Sequence, residues 1–176
     1  MKFCSNCGGT VTRRTPHGDT RQRWVCERCG TVHYQNPKIV VGCVPEREGR
    51  LLLCKRAIEP RSGYWTVPAG FLELGESIGE GAMRETREEA CAEVRLGHLF
   101  ASVDVIDAGQ VHLFFTATLL GGFAAGEETE SVALFAPAEI PWDDIAFKSG
   151  RFALEKYLED AGSNNGVHLH RISQGE

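Results

Sequence analysis

Hydrophobic and polar positions divide the chain into stretches with two different periods. Apolar residues, many of them β-branched or leucine, dominate 38–44 and 51–55. Both stretches read as strands, and the Glu48 and Gly49 pair between them predicts a hairpin turn. A further short strand is expected over 64–67, closed by Pro68. At Ser77 the pattern changes to a helical one. Ser77 followed by Glu80 is a capping-box pair, in which a hydroxyl and a carboxylate satisfy free backbone donors. It predicts a helix over 78–90 whose packing stripe is Ala82, Met83, Thr86 and Ala90. Two longer strands follow over 93–106 and 111–120, around a turn at 107–110, and another covers 132–135. A closing helix is expected over 149–161 with Phe152, Leu154, Tyr157 and Leu158 as apolar positions. Residues 162–176 show neither period and are expected to form a flexible tail, with His168 and His170 solvated in it. Strands mixed with two helices indicate an α+β domain.

The helix over 78–90 carries Glu85, Glu88 and Glu89 at i, i+3 and i+4, within an arc of roughly 100°. Carboxylates so placed are expected to converge. Magnesium is a hard cation that takes oxygen ligands in an octahedron and keeps open positions for water and phosphate. Arg84, beside Glu85, can orient a carboxylate through paired hydrogen bonds. The same residues also fit a solvated, glutamate-rich helix face held by i, i+4 ion pairs.

The full segment 70–92, GFLELGESIGEGAMRETREEACA, resembles the Nudix box, G-x5-E-x7-R-E-U-x-E-E-x-G-U, where U is bulky and apolar. Gly70, Glu76, Arg84, Glu85, Thr86, Glu88 and Glu89 take the pattern's positions. Cys91 stands where the pattern has glycine, and Ala92 is smaller than the usual last residue. The resemblance implies a Nudix-type α/β/α sandwich with a mixed β-sheet. It also implies magnesium- or manganese-dependent hydrolysis of a nucleoside diphosphate linked to another group, releasing a product such as AMP. Glu85, Glu88 and Glu89 are then the metal ligands, with Glu76 accessory and Arg84 part of the catalytic set. The family often places a general base on a loop after the box, and the run 126–131 offers Glu127, Glu128 and Glu130. Glu130 is preferred because it abuts the apolar segment 132–135, although the run also reads as a solvated acidic turn.

Cys4 and Cys7, then Cys26 and Cys29, form two C-x2-C pairs with zinc-ribbon spacing, and four thiolates close a tetrahedral, structural zinc site. Gly8 and Gly30 follow the pairs and suit the tight turns such a site needs. Disulfides are the competing explanation. Cys43, Cys54 and Cys91 read as small apolar residues. Asn36 and Pro37 mark the joint, so the expected organisation is a zinc ribbon over 1–36, a hydrolase domain over 37–161 and the tail over 162–176. A four-cysteine ribbon ahead of a Nudix box resembles the NADH pyrophosphatases, but their S-Q-P-W-P-F-P type segment is absent. The segments KRAIEPRSGYWTVPAGFLELGES and FAPAEIPWDDIAF resemble Nudix enzymes acting on ADP-ribose or FAD. ADP-ribose, FAD and NADH are thus the candidate substrates, in that order.

Of the 176 residues 42% are hydrophobic, enough for one core plus a mini-domain that needs metal to hold together. No run reaches the roughly 18 apolar residues of a membrane span, and the first residues lack an apolar signal region, so a cytoplasmic location is expected. Formal net charge is −5, but residues 1–38 set seven Lys/Arg against Asp19 and Glu27, a balance of +5. Arg13, Arg14, Arg21, Arg23 and Trp24 therefore raise a nucleic-acid reading. Thiolates around zinc reduce that local charge, so nucleic acid is not the expected partner. Arg56 and Arg61 are candidates for a phosphate clamp. Trp65 is a candidate for stacking on a base, as are Tyr64 and Phe115, although aromatic residues in strands also serve as core. A homodimer is compatible with the resemblance. Two other functions remain open, a nucleotide sensor on a Nudix fold and a nucleic-acid-binding ribbon with an auxiliary domain.

Overall fold

Alternate residues along the long strands of the larger unit go to opposite faces of one sheet, and this builds two cores. The computed structural model describes residues 1–161 and 163–173. The chain divides into two units, Met1–Pro37 and Lys38–Glu176. No helix among the described residues is long and apolar enough to cross a membrane.

In the first unit, β1 (Val11–Arg14), β2 (Arg23–Cys26) and β3 (Val32–His33) form an antiparallel sheet in that order. Its core is Cys4, Val11 and Cys26, with Cys7 and Trp24 packed against them. So small a cluster offsets little of the entropy cost of ordering the chain, which is why a unit this size relies on a cross-link.

In the second unit the sheet contains β4 (Lys38–Arg47), β5 (Arg50–Arg56), β6 (Trp65–Thr66), β7 (Ala69–Phe71), β8 (Glu93–Val105), β9 (Gln110–Leu120), β10 (Thr129–Phe135) and β11 (His168–Ile172). Its main path runs β10-β5-β4-β9-β8-β11, with β6 on β5 and β7 on β4. The β4–β9 and β8–β11 pairs are parallel and the others antiparallel, so the sheet is mixed. Helix α1 (Ile78–Ala90) covers one face and α2 (Lys148–Asp160) the other. Val41, Cys43, Leu52, Cys54 and Phe115 pack with Ala82 and Ala90 of α1, while Val44, Leu51, Leu53 and Phe114 pack with Ala153 and Leu154 of α2. Neighbours such as Phe114 and Phe115 thus serve opposite layers, as the two-residue period of a strand requires. The result is the α/β/α sandwich.

Local signals set the ends of these elements. Glu80 N–H donates to the Ser77 hydroxyl and Ser77 N–H to the Glu80 carboxylate, closing the capping box at the start of α1. Cys91 ends α1 in the left-handed conformation, φ 45°, that glycine adopts more readily. Glu48 and Gly49 both have positive φ, 54° and 76°, the geometry of a tight hairpin between β4 and β5.

The segment expected as a flexible tail departs from that reading. His168–Ile172 adds to the sheet as β11, parallel to β8 with His168 opposite Ala101. Its anchors are side chains rather than an apolar period. His168 Nε2 lies 3.0 Å from both Asp160 carboxylate oxygens, and the His170 ring stacks on Phe152 at 4.5 Å and 12°. Ile172 packs on the α2-side core. Residue 162 and residues 174–176 of that segment lie outside the described residues.

Candidate active site

A cleft of about 1360 Å³ runs through the second unit, walled by α1, the loop after β5, the loop before β10 and the start of α2. Glu85, Glu88, Glu89 and Arg84 line it together with Gly70, Arg56, Arg61, Glu127 and Glu128. Strand β7 enters this site because Gly42 and Gly70 have no side chains. A Cβ on Gly42 would overlap Ala69, and one on Gly70 would overlap the Glu85 carboxylate.

Arg84 is the hub of the acidic edge. Its Nε and Nη2 donate to the two Glu76 oxygens at 3.0 and 2.8 Å, and Nη1 donates to Glu85 at 2.6 Å and to Glu88 at 2.9 Å. Nη2 also donates to the Phe71 carbonyl at 2.9 Å, tying the helix to β7. The Arg84 guanidinium, followed by the Glu73 amide, holds Glu76 down at about 2. Burial pushes Glu85 above the usual carboxylate range and lifts Glu89 to about 8. The Ala69 amide, which donates to Glu89 Oε2 at 3.2 Å, pulls the other way. The three carboxylates do not meet at one point. Arg84 stands between Glu85 and Glu88, and Glu89 turns to Ala69. Three acids around one guanidinium, with Glu89 beside them, nonetheless leave an excess of negative charge on oxygen donors, and Glu85 and Glu89 are desolvated. Such a donor set fits a hard dication.

Other expected residues are distributed unevenly. Arg56 lines the cleft, its Nε donating to the Pro60 carbonyl at 2.9 Å and its guanidinium lying 5.2 Å from the Phe147 ring centre. Arg61 lines it as well, over Tyr64 at 5.3 Å. Trp65 is not among the lining residues. It packs edge-on against Phe135 at 4.9 Å, in the α2-side core. Phe115 is buried in the α1-side core. Glu130 is also outside the cleft, where Lys55 Nζ holds its carboxylate at 2.9 Å. Glu127 and Glu128, in the loop ahead of β10, line the cleft instead, while a register shift between Thr129 and Ser131 leaves Glu130 out of the strand's regular pairing. Gln110, His112 and Ser149, which carry little signal in the sequence, line the same cleft. The one available cue was a histidine inside an otherwise apolar strand.

In the first unit the four cysteine sulfurs lie within 4.8 Å of one another, the only such metal-ligating group among the described residues. The sulfurs of Cys4 and Cys29 are 3.7 Å apart and those of Cys7 and Cys26 3.5 Å. A tetrahedron with zinc–sulfur bonds of about 2.3 Å has edges of roughly 3.8 Å, so the set fits that ion. Asn6 and Cys29 amides donate to Cys4 and Cys26 sulfurs at 3.4 Å. The Thr31 hydroxyl and amide, followed by Cys7 and Cys26, draw Cys29 down to about 5. His33 Nε2 lies 3.2 Å from Cys4 Sγ, a partner not anticipated from spacing. Among the basic residues, Arg13, Arg21 and Trp24 border a shallow site of about 380 Å³. Arg23 also borders it but is committed to Asp19 at 3.0 Å.

Comparison with known proteins agrees with both units. A family model described as Nudix N-terminal, a zinc ribbon, matches residues 2–35, and the NUDIX domain model matches 36–158. A NUDIX hydrolase from Nitrosomonas europaea superposes with a TM-score of 0.93 at 49% identity, covering 98% of this chain and 99% of that one. The NAD-capped RNA hydrolase NudC of Vibrio atlanticus is 31% identical over 69% of this chain and 44% of its own length. The ADP-ribose pyrophosphatase of Methanocaldococcus jannaschii is 29% identical over 61% of this chain and 67% of its own. The chain therefore spans less than half the length of the Vibrio relative it matches. The NUDIX domain match extends over most of the chain, onto a sandwich whose acidic helix borders the cleft, and the chain belongs to the Nudix family, with a Nudix-type zinc ribbon ahead of the hydrolase domain.

Proposed function

We propose that the cleft hydrolyses the pyrophosphate bond of a nucleoside diphosphate linked to a second group, with ADP-ribose, FAD and NADH as candidate substrates in that order and a nucleoside monophosphate such as AMP as product. The observation that carries this reading is the Arg84-centred acid cluster on a cleft that also presents Arg56 and Arg61. Relatives named as an ADP-ribose pyrophosphatase and an NAD-capped RNA hydrolase support it.

Glu85, Glu88 and Glu89 would hold magnesium or manganese. Glu76 spends both oxygens on Arg84 and so acts by fixing the guanidinium. The bound dication supplies charge neutralisation at the diphosphate and a more acidic water. Arg56 and Arg61 bind the phosphates from the opposite wall. Glu128, which faces the cleft where Glu130 does not, is the better placed general base and accepts the proton of the attacking water. The ribbon holds a structural zinc through Cys4, Cys7, Cys26 and Cys29. None of the seven cysteines is in a disulfide, which suits a reducing compartment such as the cytoplasm.

Incubation with ADP-ribose, FAD and NADH, with and without magnesium, tests the reading. Metal-dependent release of AMP from at least one is expected, and inertness toward all three in both magnesium and manganese refutes it. The basic, Trp24-bearing face of the ribbon favours a second reading, in which the group beyond the diphosphate is the 5′ end of an RNA. Binding of a capped oligonucleotide that weakens steeply with salt would distinguish it, since phosphate contacts release counterions.

A further inference from the structure

We propose that Gln110 recognises the heterocycle of the bound nucleotide, donating from its side-chain amide to an acceptor on the base, with His112 and Ser149 fixing the direction of that amide. The inference rests on the reading above that phosphates occupy the acidic and arginine end of the cleft.

Gln110 opens β9, and His112, two residues on, projects to the same side of the strand. Ser149 is the second residue of α2. All three line the cleft that Glu85 and Glu89 line. His112 Nε2 is 2.8 Å from Gln110 Oε1, and His112 Nδ1 is 2.9 Å from Ser149 Oγ. Burial lowers His112 to about 4, so the ring is neutral at physiological pH and carries one proton. Gln110 Oε1 can only accept, which puts that proton on Nε2 and leaves Nδ1 to accept from the Ser149 hydroxyl. The chain Ser149 to His112 to Gln110 therefore occupies the amide oxygen and leaves the amide NH2, which has no partner among the described residues.

The cleft wall around Gln110 is apolar, formed by Val40, Val105, Ala108, Phe114 and Ile172. A fixed, uncharged donor in such a wall suits a planar, neutral group with a ring nitrogen or carbonyl to accept. It suits phosphate poorly, because an amide carries no charge and the other end of the cleft, at Glu85, Glu89, Arg56 and Arg61, is where a dication and phosphates would be held; Lys148, beside Ser149, also lines the cleft. A nucleotide laid with its phosphates at that end presents its base at this one.

The test compares AMP with ribose 5-phosphate, which lacks the base, by calorimetry on the full chain with magnesium. Wild type is expected to bind AMP more tightly. Gln110→Leu removes both amide groups, whereas Gln110→Glu keeps an oxygen for His112, removes the donor and adds a charge that acts on AMP and ribose 5-phosphate alike, so the ratio isolates the donor. Both variants should lower the AMP to ribose 5-phosphate affinity ratio about 5-fold or more, the worth of a neutral hydrogen bond. Retained ribose 5-phosphate binding shows that the fold survives. An unchanged ratio in both variants overturns the proposal, as does a wild-type ratio of one. A loss in Gln110→Leu alone assigns Gln110 to supporting His112 and overturns it too. Hydrolysis of ADP-ribose, FAD and NADH by wild type is read separately. Failure of the pyrophosphatase reading appears there, whatever the affinity ratio.

Discussion

Gly70 lies so close against Glu85 that a Cβ on Gly70 would overlap the Glu85 carboxylate. Glu85 is also drawn toward Arg84, at 2.6 Å, and is nearly buried, so it has little room to withdraw. The first glycine of the box is therefore a clearance for the carboxylate of Glu85, a proposed metal ligand. Gly70→Ala should displace Glu85, lower kcat at least about 10-fold and cost about 1–3 kcal/mol of stability through overpacking. Steady-state kinetics beside a thermal melt checks this. Wild-type kcat in a folded Gly70→Ala protein would show that Glu85 is not needed where it stands.

Glu89 is the most desolvated acid of the cluster, raised to about 8 chiefly by burial. Glu89→Gln keeps the size and a hydrogen-bond acceptor for the Ala69 amide while removing the charge. The fold should persist, and at pH 9 the metal-free variant should melt no lower than wild type, since a poorly compensated buried charge is gone. Activity should fall on the order of 10²-fold, because a metal ligand is lost. Circular dichroism with magnesium-dependent AMP release separates the two effects. Full activity would remove Glu89 from the metal site.

Local rules made much of this fold legible. The Ser77 and Glu80 pair marks the start of α1 as the structure has it, and Glu48 with Gly49 marks the hairpin between β4 and β5. The box placed Arg84, Glu85, Glu88 and Glu89 on one cleft because their spacing along a helix fixes their common face. What escaped depends on contacts between distant residues. The strand β11, HLHRI, pairs with β8 some 67 residues earlier in the chain and is anchored by Asp160 and Phe152, none of which an apolar period reveals. Adjacency to an apolar run favours Glu130 in the sequence, whereas in the fold it is Glu127 and Glu128, in the loop ahead of β10, that line the cleft. Trp65 went to the core because Phe135, on β10, supplies its partner.

Glu128 and Glu130 make that distinction measurable. Glu128 faces the cleft, whereas Glu130 is half exposed and bound to Lys55. An exposed ion pair contributes at most about 1 kcal/mol. Glu130→Gln should therefore leave kcat within about 3-fold of wild type, whereas Glu128→Gln should lower it about 10²-fold or more if Glu128 takes the proton from water. A pH–rate profile that loses its acidic limb only in Glu128→Gln gives the assignment. The reverse pattern would restore Glu130.

The ribbon's small core gives the proposed zinc a structural role. Cys4, Val11 and Cys26 are the buried members of that core, and two of the three are ligand candidates. The purified protein should hold about one zinc per chain, and stripping it should unfold the first unit, since a structural zinc site contributes folding energy outright. Native mass spectrometry counts the ion. Amide exchange after chelation should show Val11–Arg14 and Arg23–Cys26 losing protection while α1 keeps it. Four freely titrating thiols in the untreated protein would count against zinc.

His112 provides a pH signature separable from that of the carboxylates. Its folded pKa is about 4, against about 6.5 for an unfolded histidine, and burial is the cause. Between those values the unfolded chain binds a proton that the folded protein refuses, so this group's contribution to stability is lost as pH falls from 6.5 toward 4. Glu89, with a raised pKa, works in the opposite sense from about 4.5 to 8, and Glu76, held at about 2, acts only at lower pH. Subtracting the melting curve of His112→Gln from that of wild type isolates the histidine. The variant should be clearly less stable than wild type at pH 7.5, where the contacts to Ser149 and Gln110 are intact, and the gap should narrow by pH 4.5. A gap independent of pH would mean that the ring is not held neutral between its two partners.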